Sequence, residues 1–337
     1  MSLLQDSMSL LQEEQLVDPL AHGTRLHLGA LQVAIIIPCH NEETTIAAVV
    51  KGFSEHLPDA RIYVCDNNSV DGTKTLAREA GAIVVSESLQ GKGHVVRRMF
   101  ADVEADIYVL VDGDDTYDPA AAPVMIEMLV HDRLDMVTGA RGPVMQTAYR
   151  PGHRLGNALL TGLVTLIFGN RVSDVLSGYR VFSRRFVKSL PALATGFETE
   201  TEFTVHALEL HMPIAELPTR YYERPQGSVS KLRTISDGLR ILRMITMLVK
   251  EQHPVYFFGF FGSLFLLSAL VLGIPLILEF MHTGLVPRFP TAILATGLVL
   301  LSFLSFACGV ILDSVARGRK EMKRLAYLAV PALPHEW

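Results

Sequence analysis

Two uncharged apolar runs constrain this chain more than any other feature. Residues 254–278 and 289–312 contain no Asp, Glu, Lys or Arg. Each is long enough to cross a ~30 Å hydrocarbon core as a helix. Only residues 279–288 join them, so a transmembrane hairpin is expected, with both outer ends on one side. A hairpin buried in a soluble core is the competing reading, but two such runs in series seldom pack inside so small a domain.

Cation placement orients the hairpin. The connecting loop carries only Arg288. The flank after the second run carries Arg317, Arg319, Lys320, Lys323 and Arg324, and the flank before the first carries Arg240, Arg243 and Lys250. Both outer ends, and the large N-terminal domain with them, are therefore expected on the cytoplasmic side of the inner membrane. The net charge of -5 hides a split. Residues 225–337 carry a net +5, leaving -10 for residues 1–224. A strongly acidic soluble part excludes nucleic-acid binding, and a basic juxtamembrane part suits anionic headgroups or a lipid phosphate.

Residues 1–30 are acidic and interrupted, so no cleavable secretory signal is expected there. Met-Ser-Leu-Leu-Gln occurs twice, at residues 1–5 and 8–12, without deciding a role. Cys39, Cys65 and Cys308 form no Cys-x-x-Cys pair and no zinc-type cluster, which fits a reducing compartment.

Between residues 31 and 138, strand and helix signals alternate. Strands are expected at 33–37, 61–65, 82–86, 107–111 and 135–138. Helices are expected at about 43–55, 71–80, 93–104 and 118–131, the second capped by Asp71 or Ser69. This βαβα order predicts a mostly parallel sheet covered on both faces, with ligands beyond the carboxyl ends of its strands. Polar groups stand at four such ends: Pro38-Cys-His-Asn-Glu42, Asp66-Asn-Asn-Ser69, Asp112-Gly-Asp114 and Gly139-Ala-Arg141. Asp112 and Asp114 alternate along an extended segment and so can face one side. An acidic turn or helix cap would explain that pair alone. Crowded carboxylates facing a substrate phosphate are otherwise neutralised by Mg²⁺ or Mn²⁺.

Five motifs stand in order: Pro38-x-x-Asn-Glu42, Asp66-Asn-x-Ser-x-Asp-Gly-Thr73, Gly91-Lys-Gly93, Asp112-x-Asp114 and Ser177-Gly-Tyr-Arg180. Together they resemble glycosyltransferase family 2, which has the GT-A fold. With the two C-terminal runs, the chain is similar to membrane-anchored polyprenyl-phosphate glycosyltransferases, of the dolichyl-phosphate mannose synthase and bactoprenol glucosyltransferase type. The resemblance implies an α/β, Rossmann-like GT-A domain at 31–230 after an N-terminal extension at 1–30. An amphipathic juxtamembrane helix at 231–253, the hairpin at 254–312 and a basic cytoplasmic tail at 313–337 would follow.

The implied reaction is inverting transfer of one sugar from a nucleotide sugar to a polyprenyl phosphate, undecaprenyl or dolichyl. A UDP-hexose such as UDP-glucose is the first expectation and GDP-mannose the next. The resemblance assigns Asp112 and Asp114 to a Mg²⁺ or Mn²⁺ ion. It assigns Pro38, His40, Glu42, Val64, Asp66, Asn67, Lys92, Asp112, Gly113 and Arg141 to the donor, and Arg224 and Lys231 to the acceptor phosphate. Asp174 matches the position often assigned as catalytic base, and Arg180 is a further cation beside Asp114 in the catalytic set. Homo-oligomers, often tetramers, are common among such enzymes.

Two features depart from the pattern. Asp115-Thr116 follow the Asp-x-Asp where many lipid-linked relatives have Leu-Gln, and 224–231 is one residue longer than Arg-x-x-Gly-x-Ser-Lys. Two segments look suited to the membrane interface: 232–249, with an apolar stripe, and 155–168, with Arg150, His153 and Arg154 before it. A processive polysaccharide synthase is the alternative enzyme, but its Gln-x-x-Arg-Trp motif is absent and the only Trp is Trp337. A catalytically silent nucleotide-sugar-binding scaffold is the alternative from another class.

Overall fold

The computed structural model describes residues 31–141, 161–162, 164–165, 172–196, 198–225, 246–247 and 249–333. Lys231, most of the 232–249 stripe and most of 155–168 lie outside the described residues. What is described falls into two units: one holds 31–141, 172–196, 198–225 and 330–333, the other 161–162, 164–165, 246–247 and 249–329 with the C-terminal helices.

The first unit holds seven strands: β1 (Val33–Cys39), β2 (Arg61–Asp66), β3 (Ile83–Ser86), β4 (Ile107–Leu110), β5 (Met136–Arg141), β6 (Arg180–Ser183) and β7 (Ile214–Thr219). They form one sheet in the order β3-β2-β1-β4-β6-β5-β7. Its helices are α1 (Ile46–His56), α2 (Thr73–Glu79), α3 (Lys92–Asp102), α4 (Ala121–His131), α5 (Arg184–Ser189) and α6 (Thr199–Glu209). The expected α/β architecture is present, with boundaries shifted by one to three residues. The expected cap of α2 takes another form. Gly72 stands at the cap position, and the Asp71 carboxylate accepts from the Thr73 amide at 3.1 Å.

Strand β1 is buried on both faces because Val33–Ile37 alternate between two apolar layers. One layer packs Ile35 and Ile37 with Val49 and Phe53 of α1 and Met125 and Ile126 of α4. The other is aromatic: Phe182 stacks on Phe186 at 4.5 Å and meets Phe100 and Phe203 edge-on. Each such side chain contributes roughly 1.5–3 kcal/mol when fully buried.

Two topological facts position the site. The chain runs from β1 outward through β2 to β3, then returns so that β4 pairs with the other side of β1. The crevice between diverging connections therefore opens at the carboxyl ends of β1 and β4. In addition, β6 is antiparallel to both β4 and β5, with Arg180 opposite Leu110 and Thr138. Its amino end, preceded by Ser177 and Gly178, thus arrives at the edge where the other strands finish.

The second unit contains α7 (Pro254–Thr283) and α8 (Phe289–Ala329), each long and apolar enough to cross a membrane. Gly284, at φ 65°, ends α7 in the left-handed conformation that suits glycine. The helices pack along a seam of Gly262, Ala269 and Leu276 against Ala295, Ser302 and Gly309. A Cβ on Gly262 would lie 3.1 Å from the Phe306 ring. Phe260, Leu267, Val271, Phe303 and Ile311 remain exposed. The segment expected as a tail from 313 begins as a continuation of α8 through Ala329.

Candidate active site

The loop after β1 is fastened on two sides. Asn41 takes φ 53°; its amide donates to Ser69 Oγ and its side-chain oxygen accepts from the Val70 amide, both at 2.9 Å. The Glu42 amide donates to Thr73 Oγ1 at 2.9 Å. Thr45, buried, donates its hydroxyl to the Gly113 carbonyl at 2.7 Å. The first, second and fourth strand ends are thereby locked together. Pro38, His40 and Glu42 line this edge, each half-buried.

Asp66 ends β2 and is fully buried. Its Oδ2 meets Lys74 Nζ at 3.1 Å and the Ser69 amide at 3.3 Å. Its Oδ1 has no hydrogen-bond partner among the described residues. Asn67 serves the scaffold: its Nδ2 donates to the Glu87 and Leu89 carbonyls, and its Oδ1 accepts from the Gly91 amide at 2.7 Å. The Val64 side chain is wholly inside the core. Asn67 and Val64 thus stand behind the edge, with their side chains turned to the scaffold and the core.

The two carboxylates after β4 each hold a cation of the protein. Lys92 Nζ bridges Asp112 Oδ1, at 2.5 Å, and Glu200 Oε1. Burial pulls the Lys92 ammonium's pKa down, but the two carboxylates outweigh it and hold the group charged. Asp114 accepts from Thr116 Oγ1 at 2.6 Å through Oδ1 and pairs with Arg224 at 2.6 Å through Oδ2. Burial, then the neighbouring Asp112 charge, raise the Asp114 carboxyl above its ordinary value, with Arg224 opposing them. Thr116 is thus engaged with Asp114 itself. Arg224 reaches this point because Tyr221 bridges to Tyr117 and the Tyr222 amide donates to the Thr116 carbonyl at 2.8 Å.

Arg141, ending β5, grips Asp174 with two bonds of 2.7 Å, from Nε and Nη2. Burial pushes the Asp174 carboxyl up, yet Arg141's hydrogen bonds and charge hold it below the ordinary value. Glu216 of β7 fixes the preceding turn by accepting from the Ser173 amide and hydroxyl. Arg180 does not reach this edge. It is fully buried, donating to the Ser177 and Val175 carbonyls and to Thr204 Oγ1.

The residues fit a divalent cation. Asp112 and Asp114 are neighbouring all-oxygen donors that already attract positive charge. No group of three or more His, Cys, Asp or Glu is placed to hold a metal ion among the described residues, so remaining ligands would come from substrate oxygens and water, the usual arrangement for Mg²⁺.

Three contributors escaped the sequence reading. Glu200 shares the first turn of α6 with Glu202, where such charge is common; nothing local marks it as the partner of Lys92. Gly178 touches Asp112, and Thr45 carries Gly113. The five ordered motifs bring the right loops together, but they do not reveal these cross-loop pairs.

The model for "Glycosyl transferase family 2" matches residues 34–190. Glycosyltransferase AglJ of Haloferax volcanii is 32% identical over 304 residues, covering 88% of this chain and 98% of that one. The dolichyl-phosphate hexose transferase of the same organism is 28% identical over 223 residues, 66% of this chain and 95% of that one. Among solved structures, Mycobacterium tuberculosis glucosyl-3-phosphoglycerate synthase with Mn²⁺, UDP-glucose and phosphoglyceric acid superposes with a TM-score of 0.51 at 25% identity. The match covers 66% of this chain and 79% of that one. The motifs, the GT-A-like sheet and a relative matched over nearly its full length agree: this chain belongs to glycosyltransferase family 2.

Proposed function

We propose that this glycosyltransferase moves one hexose, with inversion, from a nucleoside-diphosphate sugar to a polyprenyl phosphate at the cytoplasmic membrane surface. The observation that carries the reading is the pairing of Asp114 with Arg224. It brings a metal-type carboxylate and an acceptor-side cation together in a chain with two membrane-length helices. The names of two relatives, a dolichyl-phosphate hexose transferase and a "low-salt glycan biosynthesis hexosyltransferase", support the acceptor and the sugar class.

The chemistry needs little proton transfer. A phosphate-monoester oxygen is already ionised at neutral pH and can attack the anomeric carbon directly. The glycosidic C–O bond breaks as the new one forms, and the nucleoside diphosphate leaves with the electron pair. A Mg²⁺ or Mn²⁺ ion on Asp112 and Asp114 would stabilise that leaving diphosphate as a Lewis acid. Asp66 Oδ1, buried and unpaired among the described residues, suits an N–H of the base. Pro38, His40 and Glu42 line the same edge. Asp174 is ionised, but Arg141 engages both its oxygens. Its role is therefore to orient Arg141 toward the substrate phosphates rather than to take a proton. Arg224, with Lys231, screens the acceptor phosphate.

Purified protein with undecaprenyl phosphate, Mn²⁺ and a panel of radiolabelled nucleotide sugars tests this. A labelled lipid from a UDP-hexose, abolished by EDTA, is expected, with GDP-mannose the next donor. No lipid product from any donor would overturn the reading.

A further inference from the structure

The two cations on the carboxylate pair are held in different ways. Lys92 is built in. It joins two carboxylates, and its side chain is 12% exposed. Its helix start is also wedged in place: Cβ atoms on Gly91 and Gly93 would lie 2.1 Å from the carbonyl oxygens of Thr195 and Ala194. Arg224 is held lightly. It meets Asp114 with a third of its side chain exposed, on a segment docked to the site loop by the Tyr117–Tyr221 bridge and the Tyr222 amide.

Both oxygens of Asp114 are in use, Oδ1 by Thr116 and Oδ2 by Arg224. Thr116 belongs to the same tight loop and its hydroxyl can rotate. The guanidinium occupies the oxygen that an incoming cation needs, and both cannot bind it at close range. Lys92 uses only Oδ1 of Asp112.

We infer that Arg224 is a placeholder for the divalent cation: it holds Asp114 while the metal is absent and is displaced when the metal binds. Displacement releases the guanidinium at the moment the donor side becomes loaded. The same arginine is then free for the anionic acceptor, so metal and donor bind before the lipid phosphate. The acceptor half of this inference rests on the function proposed above; the exchange at Asp114 does not.

The test is Mn²⁺ affinity, read by loss of the free-ion paramagnetic resonance signal, on full-length protein without sugar or lipid, alone and with UDP. Arg224→Gln removes the competitor. Arg220→Gln, an exposed neighbour, removes equal charge without touching Asp114. A partly exposed ion pair is worth up to ~1 kcal/mol, so Arg224→Gln should bind Mn²⁺ roughly fivefold tighter, and Arg220→Gln should shift affinity less than twofold. Unchanged or weaker binding by Arg224→Gln, equal tightening by both variants, or no Mn²⁺ binding by any protein would overturn the inference. Sugar transfer to lipid phosphate by the unaltered protein is scored separately. A placeholder that passes the Mn²⁺ test without lipid transfer leaves the exchange standing and removes only the acceptor reading.

Discussion

Gly178 and Asp112 touch across the sheet edge: a Cβ on Gly178 would lie 2.2 Å from Asp112 Oδ2. The Gly178 amide donates to the buried Tyr117 hydroxyl at 2.9 Å, so the backbone there has little room to retreat. Asp112 would have to move instead, and it is held by Lys92. Gly178→Ala should therefore lower metal-dependent turnover by roughly 100-fold, the scale of a 1 Å misplacement at a reacting centre. Its circular dichroism should stay that of the parent protein. Parent-level turnover across an Mn²⁺ titration would show that Asp112 is not the constrained ligand.

Asp174 and Arg141 form a pair whose side chains are only 8% and 13% exposed. Removing one partner leaves the other charged and buried, so Asp174→Asn should cost about 3 kcal/mol of stability. The pH dependence has a definite sign. The folded carboxyl lies below its ordinary value of 3.8. Its contribution is thus complete above that value and is lost as pH falls through the lower folded value. Thermal unfolding in detergent should show an acid-side loss of Tm in the parent protein that is smaller in Asp174→Asn. Parallel curves for the two proteins would refute the assignment.

Asp66 offers a buried oxygen without a partner among the described residues, while Lys74 and the Ser69 amide secure the other oxygen. A hydrogen bond to a charged group is worth about 1.5–3 kcal/mol. Asp66→Ala should therefore weaken nucleotide binding by roughly 10- to 100-fold in calorimetry while leaving Mn²⁺ binding without nucleotide nearly unchanged. Equal loss of both would mean that the substitution has collapsed the edge rather than removed a base contact.

The alternation of apolar runs and helix signals up to residue 138 made β1 to β5 readable, because β1, β4 and β5 are buried almost throughout and the partly exposed β3 still follows a helix signal. Strands β6 and β7 were not read. Arg180-Val-Phe-Ser183 is short and opens with an arginine, and only pairing with β4 and β5 makes it a strand. The same placement buries Arg180, which the resemblance through Ser177-Gly-Tyr-Arg180 had put in the catalytic set. Asp112 and Asp114 were legible because a carboxylate pair at a strand end is local. Their partners Lys92 and Arg224 lie 20 residues from Asp112 and 110 from Asp114, Glu200 lies 108 from the Lys92 it shares with Asp112, and no periodicity encodes such distances.

The hairpin predicts a definite topology. At about 1.5 Å per residue the 41 residues of α8 extend roughly 60 Å, about twice a hydrocarbon core. The charge-free 289–312 is long enough to lie within such a core, and 313–329, with Arg317, Arg319, Lys320, Lys323 and Arg324, would continue beyond it. At the other end the only cation, Arg288, pairs with Glu279 at 2.8 Å, which leaves that side without net positive charge. The positive flank should stay in the cytoplasm. Reporter fusions at Glu13 and after Leu325 should both report cytoplasm. A cysteine replacing Thr283, exposed at the end of α7, should react with a membrane-impermeant maleimide from outside intact cells. Labelling of that cysteine only after the cells are broken would put the turn on the cytoplasmic side and rule out a hairpin that crosses the bilayer twice.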